Sequence, residues 1–150
     1  MNKILKLTIF IYLAVTSSTI TLSKENFFDE AFKMYQNEKY DDALFMFERN
    51  IVYNPKDAIS YLYLAKIYNH KDEQEKEMNN LETALLIEPD NEEVLLMIMK
   101  IALKNSNYSK VKNLSQTFLK VCKELCDKNN EILESLKNIE PKNESWSKSW

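Results

Sequence analysis

At 150 residues and 17.8 kDa the chain has the length of one domain, and 45% hydrophobic with 29% charged residues is ordinary for a folded protein. Glycine is absent, which excludes a Gly-rich phosphate loop, a dinucleotide fingerprint and a nucleophile elbow. The lone His70 excludes two-His metal sites, two cysteines cannot close a four-ligand zinc site, and 20 basic residues with a single arginine, Arg49, against 23 acidic ones speak against nucleic acid. No enzyme activity, cofactor, metal or small-molecule substrate is therefore expected. Without glycine for tight β-hairpins, the chain is expected to be helical.

Residues 1–23, MNKILKLTIFIYLAVTSSTITLS, place Lys3 and Lys6 before an apolar run of nine residues, Leu7 to Val15, followed by small and hydroxyl residues. This is the layout of a secretory signal peptide, and the run is well short of the roughly 20 residues that span a bilayer. Cleavage between 17 and 23 and export, to the periplasm or beyond, is the expectation. An uncleaved membrane-anchoring helix is the alternative. Both place the domain outside the cytosol.

The remaining sequence repeats itself. Pro55 and Pro89 lie 34 residues apart, each closing an apolar run and followed by a polar pair. The same shift superposes Phe27, Tyr61 and Leu95; Ala31, Ala65 and Met99; Tyr40, Gln74 and Tyr108; and Phe47 with Leu81. Repeats are thus predicted at 24–57 and 58–91, with a third from Glu92 to 125. Within 58–91, Tyr61, Leu64, Ala65 and Tyr68 fall at helical spacing; His70-Lys71-Asp72 interrupts; then Met78, Leu81, Ala84 and Leu85 recur. Each repeat is therefore a helical hairpin that cannot bury its apolar stripe alone, and the hairpins must stack.

The pattern resembles the tetratricopeptide repeat. Repeat one matches with Phe27, Ala31, Tyr40, Ala43, Phe47 and Pro55, and repeat two with Tyr61, Leu64, Ala65, Tyr68, Leu81, Ala84 and Pro89. Asn50 and Glu77 depart from positions that usually hold alanine. Repeat three is degenerate, with Met99, Val111 and Ser115 at the small, alanine and aromatic positions and no closing proline. The resemblance implies an all-α, short right-handed α-solenoid of about three helix-turn-helix repeats. A capping helix is expected at 126–140, with Ile132, Leu133, Leu136 and Ile139 on one face and Asp127 capping its start. A polar tail with Trp146 and Trp150 follows at 141–150.

The resemblance also implies recognition along the concave surface formed by the first helix of each repeat. Its positions here are Phe28, Phe32 and Tyr35, then Leu62, Lys66 and Asn69, then Leu96, Lys100 and Lys104, an aromatic patch leading to a lysine patch. Phe32 and Tyr35 are expected to face solvent in the free protein. Core packing of the apolar members is the alternative. The family's carboxylate clamp of lysine, asparagine and arginine is absent, its positions holding Phe28, Phe32, Tyr63, Glu93 and Met97. His70 is expected to be a solvent-exposed turn residue.

Cys122 and Cys126 flank the junction before the capping helix, and in an exported chain a structural disulfide is the simplest reading. Two reduced half-buried thiols, or a redox-active pair, are the alternatives. The whole points to a protein-binding scaffold or adaptor of the cell envelope with a protein or peptide partner. A structural subunit joined through the solenoid ends or the Trp tail, including a homo-oligomer, is the second reading, and a thiol redox protein a third.

Overall fold

The computed structural model describes residues 27–139. Among them are seven α-helices: α1 (Phe27–Gln36), α2 (Tyr40–Tyr53), α3 (Ala58–His70), α4 (Gln74–Ile87), α5 (Glu92–Lys104), α6 (Tyr108–Val121) and α7 (Cys126–Ile139). The export segment expected at 1–23, residue 140 and the tail with Trp146 and Trp150 lie outside the described residues.

Helices α1/α2, α3/α4 and α5/α6 form three hairpins whose turns are built alike. The residue leaving each first helix is left-handed, Glu38, Asp72 and Ser106, with φ of 58°, 57° and 55°. One residue later the backbone N–H of Lys39, Glu73 and Asn107 donates to the carbonyl of Met34, Tyr68 and Ala102 at 3.0, 2.9 and 2.8 Å. This is a Schellman closure, which satisfies carbonyls that a helix end leaves open. The same turn therefore recurs with the 34-residue period.

Packing follows the period too. A first core joins Phe27 and Ala31 of α1, Ala43 and Phe47 of α2 and Leu64, Ile67 and Tyr68 of α3. A second joins Leu62 and Ala65 with Leu81 and Ala84 of α4 and Val94 and Ile98 of α5. A third joins Leu95 and Met99 with Val111 and Phe118 of α6 and Ile132 and Leu136 of α7. Each hairpin thus shares its core with the first helix of the next element, which makes the fold an all-α solenoid.

Repeat three keeps this packing despite its poor match. Ser115 is buried where Phe47 and Leu81 stand in the earlier repeats, and Phe118 is buried where Asn50 and Ala84 stand. Large and small have exchanged places across one turn of helix, a volume-conserving swap that a core tolerates.

Asn50 is also accommodated. Its amide donates to Asp57 Oδ2 at 2.7 Å and to Ser60 Oγ at 2.8 Å, while its Oδ1 accepts from Asn54 at 3.1 Å. The buried amide is satisfied and ties α2 to the start of α3. At the other end, α7 begins at Cys126, so Asp127 lies inside the first turn rather than capping it; there the helix dipole still favours its charge. Ile139 shares the face of Ile132 and Leu136 but is exposed, as the last residue of α7.

Candidate partner-binding face

Tyr63 of α3 is the centre of an aromatic cluster. Phe28, Phe32 and Tyr35 of α1 meet its ring edge-on at centroid distances of 6.2, 5.2 and 5.0 Å, and Phe47 of α2 stacks on it at 5.3 Å. From Tyr35 the chain of rings continues to Tyr40 at 5.6 Å and from there to His70 at 4.2 Å. Such pairs contribute about 0.5–1.5 kcal/mol each beyond the area they bury, so the cluster is a rigid wall. Burial pushes the Tyr35 and Tyr63 hydroxyls above the usual phenol range.

A charged pair continues this face. The Lys66 ammonium lies 4.6 Å from the Tyr63 ring centroid and 2.8 Å from Glu93 Oε1 of α5. Along α5, Glu93, Met97, Lys100 and Lys104 recur at spacings of three and four and so share one side of the helix. Past Met97 the surface dips into a cleft of about 230 Å³ between α3, α4 and α5, bounded by Asn69, Gln74, Glu77, Met97, Lys100, Ile101 and Lys104. Glu77 is only 4% exposed, and its Oε1 accepts from Asn69 Nδ2 at 2.9 Å.

The structure sorts the residues expected to line a groove. Phe28, Phe32, Tyr35 and Lys66 belong to one cluster, and Asn69, Lys100 and Lys104 to one cleft. Leu62 and Leu96 do not: each is 5% exposed and packs in the core, because the stacked neighbouring helices cover that side of the helix. Phe32 and Tyr35 are half-buried rather than free in solvent, since Tyr63 fills the space between them. His70 is exposed, with its ring tilted 46° against that of Tyr40. Cys122 and Cys126 form a disulfide, with 5.4 Å between Cα atoms, across the α6–α7 junction.

Members of the face that were not singled out as groove residues from the sequence include Tyr63, Glu77, Glu93, Met97 and Ile101. Tyr63 and Glu93 stand at two of the positions where the tetratricopeptide family's clamp would lie, and Glu77 stands at an alanine position. Those departures were the available signal. Among the described residues no group of three His, Cys, Asp or Glu side chains is close enough to hold a metal ion. No described helix is long and apolar enough to cross a membrane.

No protein-family model matches the sequence, and no curated protein matches it. Solved structures do match the fold. PcrH in complex with the chaperone-binding region of PopD has a TM-score of 0.67 at 16% identity, covering 76% of this chain and 90% of that one. The Yersinia enterocolitica type III secretion translocator chaperone SycD has a TM-score of 0.66 at 17% identity, covering 81% and 94%. The Sgt2 TPR domain from Aspergillus fumigatus has a TM-score of 0.62 at 15% identity, covering 79% of each. Three hairpins in a 34-residue register, cores shared between neighbours and these structural matches together make the chain a tetratricopeptide-repeat-like α-solenoid.

Proposed function

We propose that the protein is an adaptor of the cell envelope that binds a segment of a partner protein along the face running from the Tyr63 cluster to Lys100 and Lys104. The observation that carries the reading is the aromatic wall. Four half-buried rings on α1 and α3 converge on one surface over the buried Phe47 of the first core, and half-buried aromatics beside a charged rim are the usual make-up of a binding hot spot. Support comes from two structural neighbours solved with protein partners, PcrH with a region of PopD and the CopN–Scc3 complex. Residues 1–23, with their signal-peptide layout, support a site of action outside the cytosol.

The test is capture from native envelope extract with the protein purified from its own host, where the mature chain should begin between residues 18 and 24. Capture should fall with Phe32→Ala plus Tyr35→Ala. It should weaken in a salt-sensitive way with Lys100→Glu plus Lys104→Glu, because charges at a rim act through long-range attraction that salt screens. Deleting residues 142–150 should matter little. Since Phe32 and Tyr35 pack against Tyr63, their variant also loses some stability, and the exposed lysines are the cleaner arm. Capture lost with the tail but kept with the altered face refutes the reading and favours an assembly subunit joined through Trp146 and Trp150. An intact Met1 would favour a membrane anchor.

A further inference from the structure

Position 77 holds an acid where the fold asks for an apolar residue. Its register mates one period away, Ala43 and Val111, are fully buried and apolar, whereas Glu77 is a carboxylate with 4% exposure. Burying a carboxylate is expensive unless a cation or several donors attend it. Among the described side chains its one donor is the neutral amide of Asn69, at 2.9 Å, and no described lysine or arginine lies within ion-pair distance. The charge is not walled in, because Glu77 lines the cleft between α3, α4 and α5. A cation is what this site lacks, and the cleft leads to it.

Lys100 and Lys104 stand on the α5 wall of the same cleft, both exposed and without a carboxylate partner among the described residues. They would repel an incoming cation that came alone. A ligand that complements all three charges brings one base for the floor and acids for the rim. Met97 and Ile101 supply an apolar wall for the stem of a long side chain. Arginine suits the floor better than lysine, since its planar fork binds a carboxylate in two places and it is less strongly hydrated.

We infer that the cleft receives an arginine side chain of the bound segment onto Glu77, with acidic residues flanking that arginine held by Lys100 and Lys104. This rests on the proposed protein-binding reading and specifies the partner's chemistry at one end of the face.

The probe is the tripeptide acetyl-Asp-Arg-Asp-amide, titrated into the ¹⁵N-labelled full chain and followed by NMR. Asp-Leu-Asp and Asp-citrulline-Asp peptides serve as controls. The arginine peptide should shift amides around Asn69, Glu77 and Lys100 saturably and bind about tenfold tighter than either control, the usual scale for losing a charge-assisted hydrogen-bonded pair. Glu77→Gln keeps the side-chain volume and the acceptor for Asn69, and should remove that tenfold preference. Equal binding of all three peptides, no saturable shift at millimolar peptide, or a preference untouched by Glu77→Gln overturns the inference. Should Glu77→Gln fail to fold, the comparison of peptides on the unaltered chain still decides. The titration leaves the aromatic cluster out, so its failure alongside capture that depends on Phe32 and Tyr35 sinks the arginine site and spares the binding face.

Discussion

Glu38, Asp72 and Ser106 show how a chain without glycine makes turns. All three take a left-handed backbone, φ 55–58°, at equivalent points of the 34-residue period. The missing glycines point correctly away from a β fold, yet they do not forbid positive φ; they only make it more expensive at three places. For a residue with a Cβ the left-handed region costs roughly 1–2 kcal/mol, and aspartate bears it more easily than glutamate or serine. Glu38→Gly and Ser106→Gly should therefore each stabilise the fold by about 1 kcal/mol, with Asp72→Gly gaining less, after the extra freedom glycine adds to the unfolded chain. Thermal melts decide it, and a lower melting temperature for both would mean that the left-handed turns are not the strained points. At the same scale the sequence marks Asn50 and Glu77 as odd residues at small positions. It does not say why they are tolerated, because the answer lies in partners on other helices: Ser60 and Asp57 for one, Asn69 and an open cleft for the other.

Between elements, the most informative contact joins the start of α5 to the loop before α7. The Glu92 carboxylate accepts from the backbone N–H groups of Lys123 and Leu125, each at 2.8 Å, and from Glu124 at 3.2 Å. The Cys122–Cys126 disulfide closes the same loop. Successive N–H groups turned toward one point form a nest for an anion, and here the anion is the protein's own. The bond from Leu125 chiefly, with those from Lys123 and Glu124, holds the Glu92 carboxyl below the usual carboxylate range. A group whose pKa falls on folding stabilises the fold fully above its unfolded value, and that stabilisation is lost as pH drops through the folded value. Glu92→Gln should therefore be less stable than the native chain at neutral pH, with the gap shrinking as pH falls below about 4.3, the ordinary glutamate value. Urea unfolding at about pH 7 and about pH 3 measures both gaps, and a gap that widens on acidification sinks the idea. Reducing the disulfide should erode the Glu92 contribution as well, since the two act on one loop and their effects should not add. The cysteine spacing and the helix boundary make the loop legible from sequence. Glu92 is more than 30 positions away in the chain from the backbone N–H groups that donate to it and carries no local signal.

Across the whole molecule, what the sequence makes legible is whatever repeats. A small residue recurs at Ala31 and Ala65, a large one four before it, and a proline closes two periods, so the hairpins and their register follow from spacing alone. What it hides is depth: Leu62 and Leu96 sit at positions that would line a groove, but stacking of successive first helices covers them, and no single repeat reveals that. The same stacking makes the middle of the solenoid its sensitive point. Ala65 is fully buried in the core shared by α3, α4 and α5, and that core links the hairpin before it to the one after. Ala65→Leu adds three carbons where the helices leave no space, and such overpacking costs about 1–3 kcal/mol. In a stacked-repeat protein the damage falls on the interfaces between neighbours as well as on the hairpin itself. The variant should melt several degrees lower and over a broader range, as the two ends begin to unfold separately. Ala31→Leu, in the first core, should lower the melt without broadening it, because among the described residues only one side of that hairpin is stacked on another. An Ala65→Leu melt as sharp and as high as the native one would mean that the close approach of helices lies elsewhere, and that the 34-residue register does not set the packing.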